Sequence, residues 1–173
     1  MASVTDVRNE TIVELAGRLH DRLADRGQSV ATAESLTGGL LAARLTDVPG
    51  SSRCFVGGVV AYAGRVKESV LGVPHDLVER HGVISEECAS AMAVGVRERL
   101  GATWALATTG VAGPDGQEGH PVGTVWIAVA GPGGVQARLL HLGGTRPEIR
   151  DATCRETLLV INGILDREEP GLR

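Results

Sequence analysis

Aromatic side chains are almost missing: two Trp, one Tyr and one Phe make up 2% of 173 residues. A core without them must be assembled from Val, Leu, Ile and Ala, which favours helices packed on a sheet. Cysteine is sparse as well. Cys54, Cys88 and Cys154 are far apart and show no CxxC or Cys/His spacing, which excludes a disulfide framework and a zinc site. They read as reduced thiols of a cytoplasmic protein. No apolar run approaches the ~18 residues of a membrane span. The charged first ten residues lack the apolar stretch of a secretory signal. Excess positive charge is absent too, and a formal net charge of −4 argues against a nucleic-acid partner. Neither a Walker A loop nor GxGxxG occurs, so ATP and dinucleotides gain no support. His20, His75, His81, His120 and His141 are scattered, without HExxH or paired spacing, so no metal is expected. Only His120, in a glycine-rich loop, is a candidate for ligand contact.

What remains is 43% hydrophobic residues and 24 glycines. The length fits one domain over residues 1–173, with loose ends at 1–6 and 167–173. Ile12, Leu15, Ala16, Leu19 and Leu23 recur at helical spacing, with Gly27 as the stop. Gln28 to Ala33 reads as a strand and Ser35 to Thr46 as a second helix. Phe55 to Tyr62 reads as a strand buried on both faces. Short helices follow from Lys67 and Pro74, then a longer one from Ser85 to Leu100. Trp104 to Thr109 is an apolar central strand. Val122 to Ala130 and Val135 to Leu142 flank Gly131-Pro132-Gly133-Gly134, a hairpin pattern. Arg146 to Leu165 closes the chain as a helix. The order implies a three-layer α/β/α sandwich with a mixed, mainly parallel sheet and a late β-hairpin.

Three loops and one helix start carry chemistry. Ala33-Glu34-Ser35-Leu36-Thr37-Gly38-Gly39 joins a strand to a helix. Amides at such a place lack intrahelical partners, so Thr37, Gly38 and Gly39 are candidate donors to an oxyanion formed when Ser35 attacks a carbonyl. The alternative is that Ser35 is only a helix cap. Lys67 follows a buried strand and Tyr62, the only tyrosine. A desolvated lysine is a base; a lysine in water is not. Thr109, Gly110, Ala112 and Gly113 lie in a loop of small residues that suits a phosphate or carboxamide, or is simply a turn. Arg146 and Arg150, four apart at a helix start, share a face. They suit a phosphate clamp or a solvated basic edge.

Taken together, Ala-Glu-Ser-Leu-Thr-Gly-Gly, Val-Pro-Gly-Ser-Ser, Gly-Gly-Val-Val-Ala-Tyr with Lys67, Thr-Gly-Val-Ala-Gly-Pro and Pro-Val-Gly-Thr-Val-Trp resemble the CinA C-terminal domain family. That family is also called nicotinamide-nucleotide amidohydrolase or NMN deamidase. The resemblance runs from about Val30 to about Leu165. It implies hydrolysis of the carboxamide of nicotinamide mononucleotide (NMN) to nicotinate mononucleotide and ammonia, in pyridine-nucleotide recycling. It implies Ser35 as nucleophile, Lys67 as base and Tyr62 as a neighbour shaping the site. It places Thr109, Gly110 and Gly113 at the nucleotide pocket and Arg146 and Arg150 toward the phosphate. No cofactor is implied, and a homodimer or larger assembly is. Two departures stand out: Leu36 replaces a usual Cys, and Gly64 replaces a frequent Asn, so any contact of that Asn is missing. The competing functions are a nucleotide-binding module without turnover and an amidohydrolase for another small carboxamide.

Overall fold

A computed structural model describes residues 10–168; the ends expected to be loose, 1–6 and 169–173, lie outside the described residues. Helix α1 spans Ile12–Asp25 and strand β1 Val30–Glu34. Helix α2 is Leu40–Thr46, followed by a single 3-10 turn at Ser51–Arg53 and strand β2 at Phe55–Val60. Helices α3, Gly64–Leu71, α4, His75–His81, and α5, Glu86–Leu100, come next. Strands β3, Trp104–Gly110, β4, Thr124–Gly131, and β5, Gly134–His141, precede the last helix, α6, Arg146–Glu168. Residues 167 and 168, expected to be frayed, thus complete α6.

The sheet order is β2-β1-β3-β4-β5. β2, β1 and β3 pair in parallel, while β4 and β5 add on antiparallel as the expected hairpin, turning on Pro132 and Gly133. The sheet sorts side chains by size. Val30, Trp104, Leu106 and Val129 point to one face, where α1, α2 and α6 cover them. Ala31, Ala33, Ala105, Ala107, Ala128 and Ala130 point to the other, where α5 and the end of α3 lie. Strand side chains alternate between faces, so this arrangement makes one thick and one thin layer. The alanine face lets α5 approach closely.

α5 is drawn in further at Gly95, where a Cβ would lie 1.9 Å from the Leu71 carbonyl oxygen. Backbone cannot yield there as a flexible side chain would. Gly95→Ala is therefore expected to cost about 2 kcal/mol or more and to lower Tm by roughly 4–8 °C in a thermal melt.

β2 departs from expectation. It is an edge strand, with Val56 and Val60 each 50% exposed, not a strand buried on both faces. A continuous apolar run does not specify a central position once glycine supplies one of the three residues on each face. Among the described residues, no helix is long and apolar enough to cross a membrane.

Candidate active site

β1 and β3 end side by side, and everything chemical gathers at their carboxyl ends. The backbone after β1 does not enter a helix at Ser35. It makes a turn through Gly38 and Gly39, both in the left-handed region at φ 57° and 95°, and α2 starts only at Leu40. Ser35 is therefore no helix cap. Glu34, 1% exposed, performs the capping: its carboxylate accepts N–H bonds from Gly39 (3.0 Å), Leu41 (3.0 Å) and Ala42 (2.8 Å). The Gly38 amide donates to the Ser35 carbonyl at 3.0 Å. Gly38 and Gly39 thus have no amide left for an oxyanion, which corrects the sequence expectation. The Glu34 carboxylate had taken the Gly39 amide, and the Ser35 carbonyl that of Gly38. Of the amides from Ser35 to Ala42, those of Leu36 and Thr37 have no hydrogen-bond partner among the described residues. The Thr37 hydroxyl is committed below the turn, 2.7 Å from that of Thr108.

Lys67 is 1% exposed, not a lysine in water at a helix start. It lies in the first turns of α3, and its Nζ donates to Ser35 Oγ at 2.9 Å and to the Ala61 carbonyl at 2.9 Å. Burial lowers its pKa below the ordinary lysine value, because a charged amine loses its hydration there. Cys88 and Glu118 oppose that shift, but less strongly than burial drives it. Burial pushes the Cys88 thiol up to about 11, so at neutral pH it offers no countercharge.

Ser35 and Lys67 open into a cavity of about 140 Å³. Leu36, Tyr62, Gly64, Thr109, Gly110, Ala112, Gly113 and Arg146 share its lining. The Thr109 hydroxyl donates to the Val83 carbonyl at 2.6 Å, which ties the segment before α5 to the end of β3. Arg146 reaches across the mouth, donating to the Gly113 carbonyl at 2.6 Å and to Tyr62 Oη at 2.8 Å. Both acceptors are neutral. Arg150 does not join it. Its Nε donates to the Leu36 carbonyl at 3.1 Å and its Nη2 to the Thr37 carbonyl at 2.6 Å. The arginine pair expected to act together is split, because the serine turn offers Arg150 two carbonyls one helical turn deeper.

Asp115, Gln117, Val83 and Ile84 also line the cavity. Sequence reasoning missed the last three and gave no role to Asp115, since all four lie outside the motifs that carry the resemblance. Glu34 was missed as well, although a carboxylate next to a turn into a helix is a capping signal. His120 is outside the lining; its main chain pairs with Gln117. Among the described residues no group of three or more His, Cys, Asp or Glu is placed to hold a metal.

The model of the CinA C-terminal domain matches residues 12–165. A CinA-like protein of Frankia casuarinae is 56% identical over 136 residues, covering 79% of this chain and 31% of that protein. A putative competence-damage inducible protein of Desulforamulus reducens is 49% identical over 150 residues, covering 87% of this chain and 36% of that one. The chain thus spans about a third of the length of these curated relatives. The crystal structure of competence damage-inducible protein A from Klebsiella pneumoniae superposes with a TM-score of 0.90 at 32% identity, covering 92% of this chain and 100% of that one. A competence/damage inducible protein from Agrobacterium tumefaciens gives a TM-score of 0.85 at 39% identity, covering 90% and 95%. On sequence and on structure alike, this chain belongs to the CinA C-terminal domain family.

Proposed function

We propose that the chain hydrolyses the carboxamide of NMN to nicotinate mononucleotide and ammonia, with Ser35 as nucleophile and Lys67 as general base. The observation that carries this reading is the buried contact of 2.9 Å between Lys67 Nζ and Ser35 Oγ. A buried lysine is neutral more readily than one in water, and a neutral amine beside a hydroxyl is an activating pair. Lys67 takes the Oγ proton as Oγ bonds to the amide carbon. The carbonyl oxygen becomes an oxyanion, held by the free amides of Leu36 and Thr37 in place of Gly38 and Gly39. The proton on Nζ passes to the leaving nitrogen, and the C–N bond breaks to give ammonia and an acyl-serine. Water then attacks the acyl carbon, yields one proton to Lys67, and Lys67 returns it to Oγ as the acid leaves.

The cavity size supports a substrate that enters end first. At about 140 Å³ it is smaller than the ~300–1,000 Å³ of sites that enclose a drug-sized ligand. It seats a ring-sized group, leaving a phosphoribosyl group at the mouth. There Arg146, bonded only to neutral acceptors, can exchange them for an anion. Asp115 on the lining favours a cationic pyridinium. The protein works in the cytoplasm on this small molecule, as a homodimer or larger assembly, with no nucleic acid and no membrane involved.

An ammonia-release assay on NMN, nicotinamide riboside and nicotinamide tests the reading. NMN is expected to be the best substrate. Arg146→Met is expected to raise KM for NMN by about 10-fold, as loss of one charge-assisted contact should, and to leave KM for the riboside unchanged. Equal turnover of all three compounds would reject a phosphate-bearing substrate. Binding of NMN without ammonia release, seen as a thermal shift alone, would favour a silent nucleotide-binding module.

A further inference from the structure

Among the described residues, Arg150 is the one guanidinium that hydrogen-bonds to the nucleophile turn. It forms no ion pair among the described residues and spends its donors on two consecutive peptide carbonyls, those of Leu36 and Thr37. Each carbonyl belongs to a peptide unit whose N–H lies on the next residue. The Leu36 carbonyl shares its peptide unit with the Thr37 amide, one of the two unpartnered amides of the turn. The Thr37 carbonyl shares its unit with the Gly38 amide, which donates to the Ser35 carbonyl at 3.0 Å. The Ser35 carbonyl in turn shares its unit with the Leu36 amide, the other unpartnered one. Two hydrogen-bonded chains therefore start at one cation and end at the two free N–H groups. One chain is a single peptide long and the other two.

Hydrogen bonds in such chains polarise one another, by ~10–30% per bond. A charged donor at the head strengthens the effect. Electron density drawn toward the guanidinium leaves each terminal N–H a stronger donor. The rest of the turn is already consumed: Ser35 N–H donates to Thr108, Leu40 N–H to Thr37, and Gly39, Leu41 and Ala42 to Glu34. The positive φ of Gly38, 57°, bends the chain so that both carbonyls face α6.

We propose that Arg150 is a positioning residue that charges the oxyanion site through the backbone, and not a ligand of the substrate's phosphate. The inference rests on the Ser35 reading above and extends it to a residue outside the cavity lining. Arg150 acts on the developing oxyanion, which exists only after attack, so its removal lowers kcat and spares KM.

The test compares wild type with Arg150→Gln, which keeps an N–H donor without charge, and Arg150→Lys, which keeps charge without the two-pronged fork. Steady-state kinetics on NMN and nicotinamide riboside are read beside amide proton shifts of Leu36 and Thr37 by NMR. Arg150→Gln is expected to lower kcat by about 10–100-fold, less than the ~10²–10³-fold of deleting a donor outright. KM should hold within about threefold, and the loss should be equal on both substrates. Arg150→Lys should recover part of kcat. The Leu36 and Thr37 amide protons should move upfield in Arg150→Gln. A raised KM confined to NMN, with kcat held, would make Arg150 a phosphate ligand and overturn the proposal. Wild type inactive on both substrates would refute the reaction instead. The amide shifts then decide alone, and unmoved shifts overturn the proposal.

Discussion

Ser35→Ala is expected to lower ammonia release from NMN by on the order of 10⁴-fold or more, as loss of a nucleophile does in enzymes that form acyl intermediates. The size of the effect follows from the lack of a substitute. Thr109 gives its hydroxyl proton to the Val83 carbonyl. The Thr37 and Thr108 hydroxyls are buried against each other at 2.7 Å. Cys88 is fully buried, and its thiol, with a pKa of about 11, stays protonated. None of these hydroxyl and thiol groups is free to attack in place of Oγ. The variant loses one oxygen and one hydrogen bond to Lys67, so it should fold and still bind NMN. A thermal shift with NMN checks the second point. Activity within tenfold of wild type would remove Ser35 from the reaction.

How far the sequence reaches is best seen at the two ends of this site. The strand–turn–helix after β1 and the hairpin late in the chain were legible, because glycine clusters and apolar periodicity are local signals. The joining of Ser35 to Lys67 was not. They stand 32 residues apart, and from position alone Lys67 reads as solvated. Only the motif set as a whole implied the pair. Two details went the other way for physical reasons. Helical spacing put Arg146 and Arg150 on one face correctly, yet a shared face does not decide which acceptor each finds; Arg150 found the Leu36 and Thr37 carbonyls. The rule that helix-start amides are free named Gly38 and Gly39. It failed because Glu34, buried one residue before the turn, had claimed the Gly39 amide along with those of Leu41 and Ala42, and the Ser35 carbonyl had claimed that of Gly38. Alternating strand faces were in the letters throughout, as alanines at 31, 33, 105, 107, 128 and 130. Only the sheet order shows that they make one surface.

Lys67→Met is expected to lower turnover by about 10²–10⁴-fold and to change two pH dependences at once. In wild type, the amine must be neutral to accept the Oγ proton. Activity should rise with pH through the lowered pKa of Lys67 and level off before the ordinary lysine value of 10.5. In Lys67→Met that acidic limb should vanish from the residual rate. The second dependence concerns stability. Burial holds the folded-state pKa of Lys67 below that of the unfolded chain. Between the two values the unfolded chain binds one proton more, so folding stability rises with pH across that window. The benefit fades as pH falls through the folded value, because there both states are protonated and the buried charge is borne in full. Lys67→Met has no such group. It does leave the Ala61 carbonyl without its donor, but that loss is the same at every pH and drops out of the slope. Urea unfolding of both proteins from pH 7 to 10 should show wild type gaining on the variant as pH increases. Parallel stability curves would mean that the amine is not desolvated, and an acidic limb that survives in Lys67→Met would assign the base to another residue.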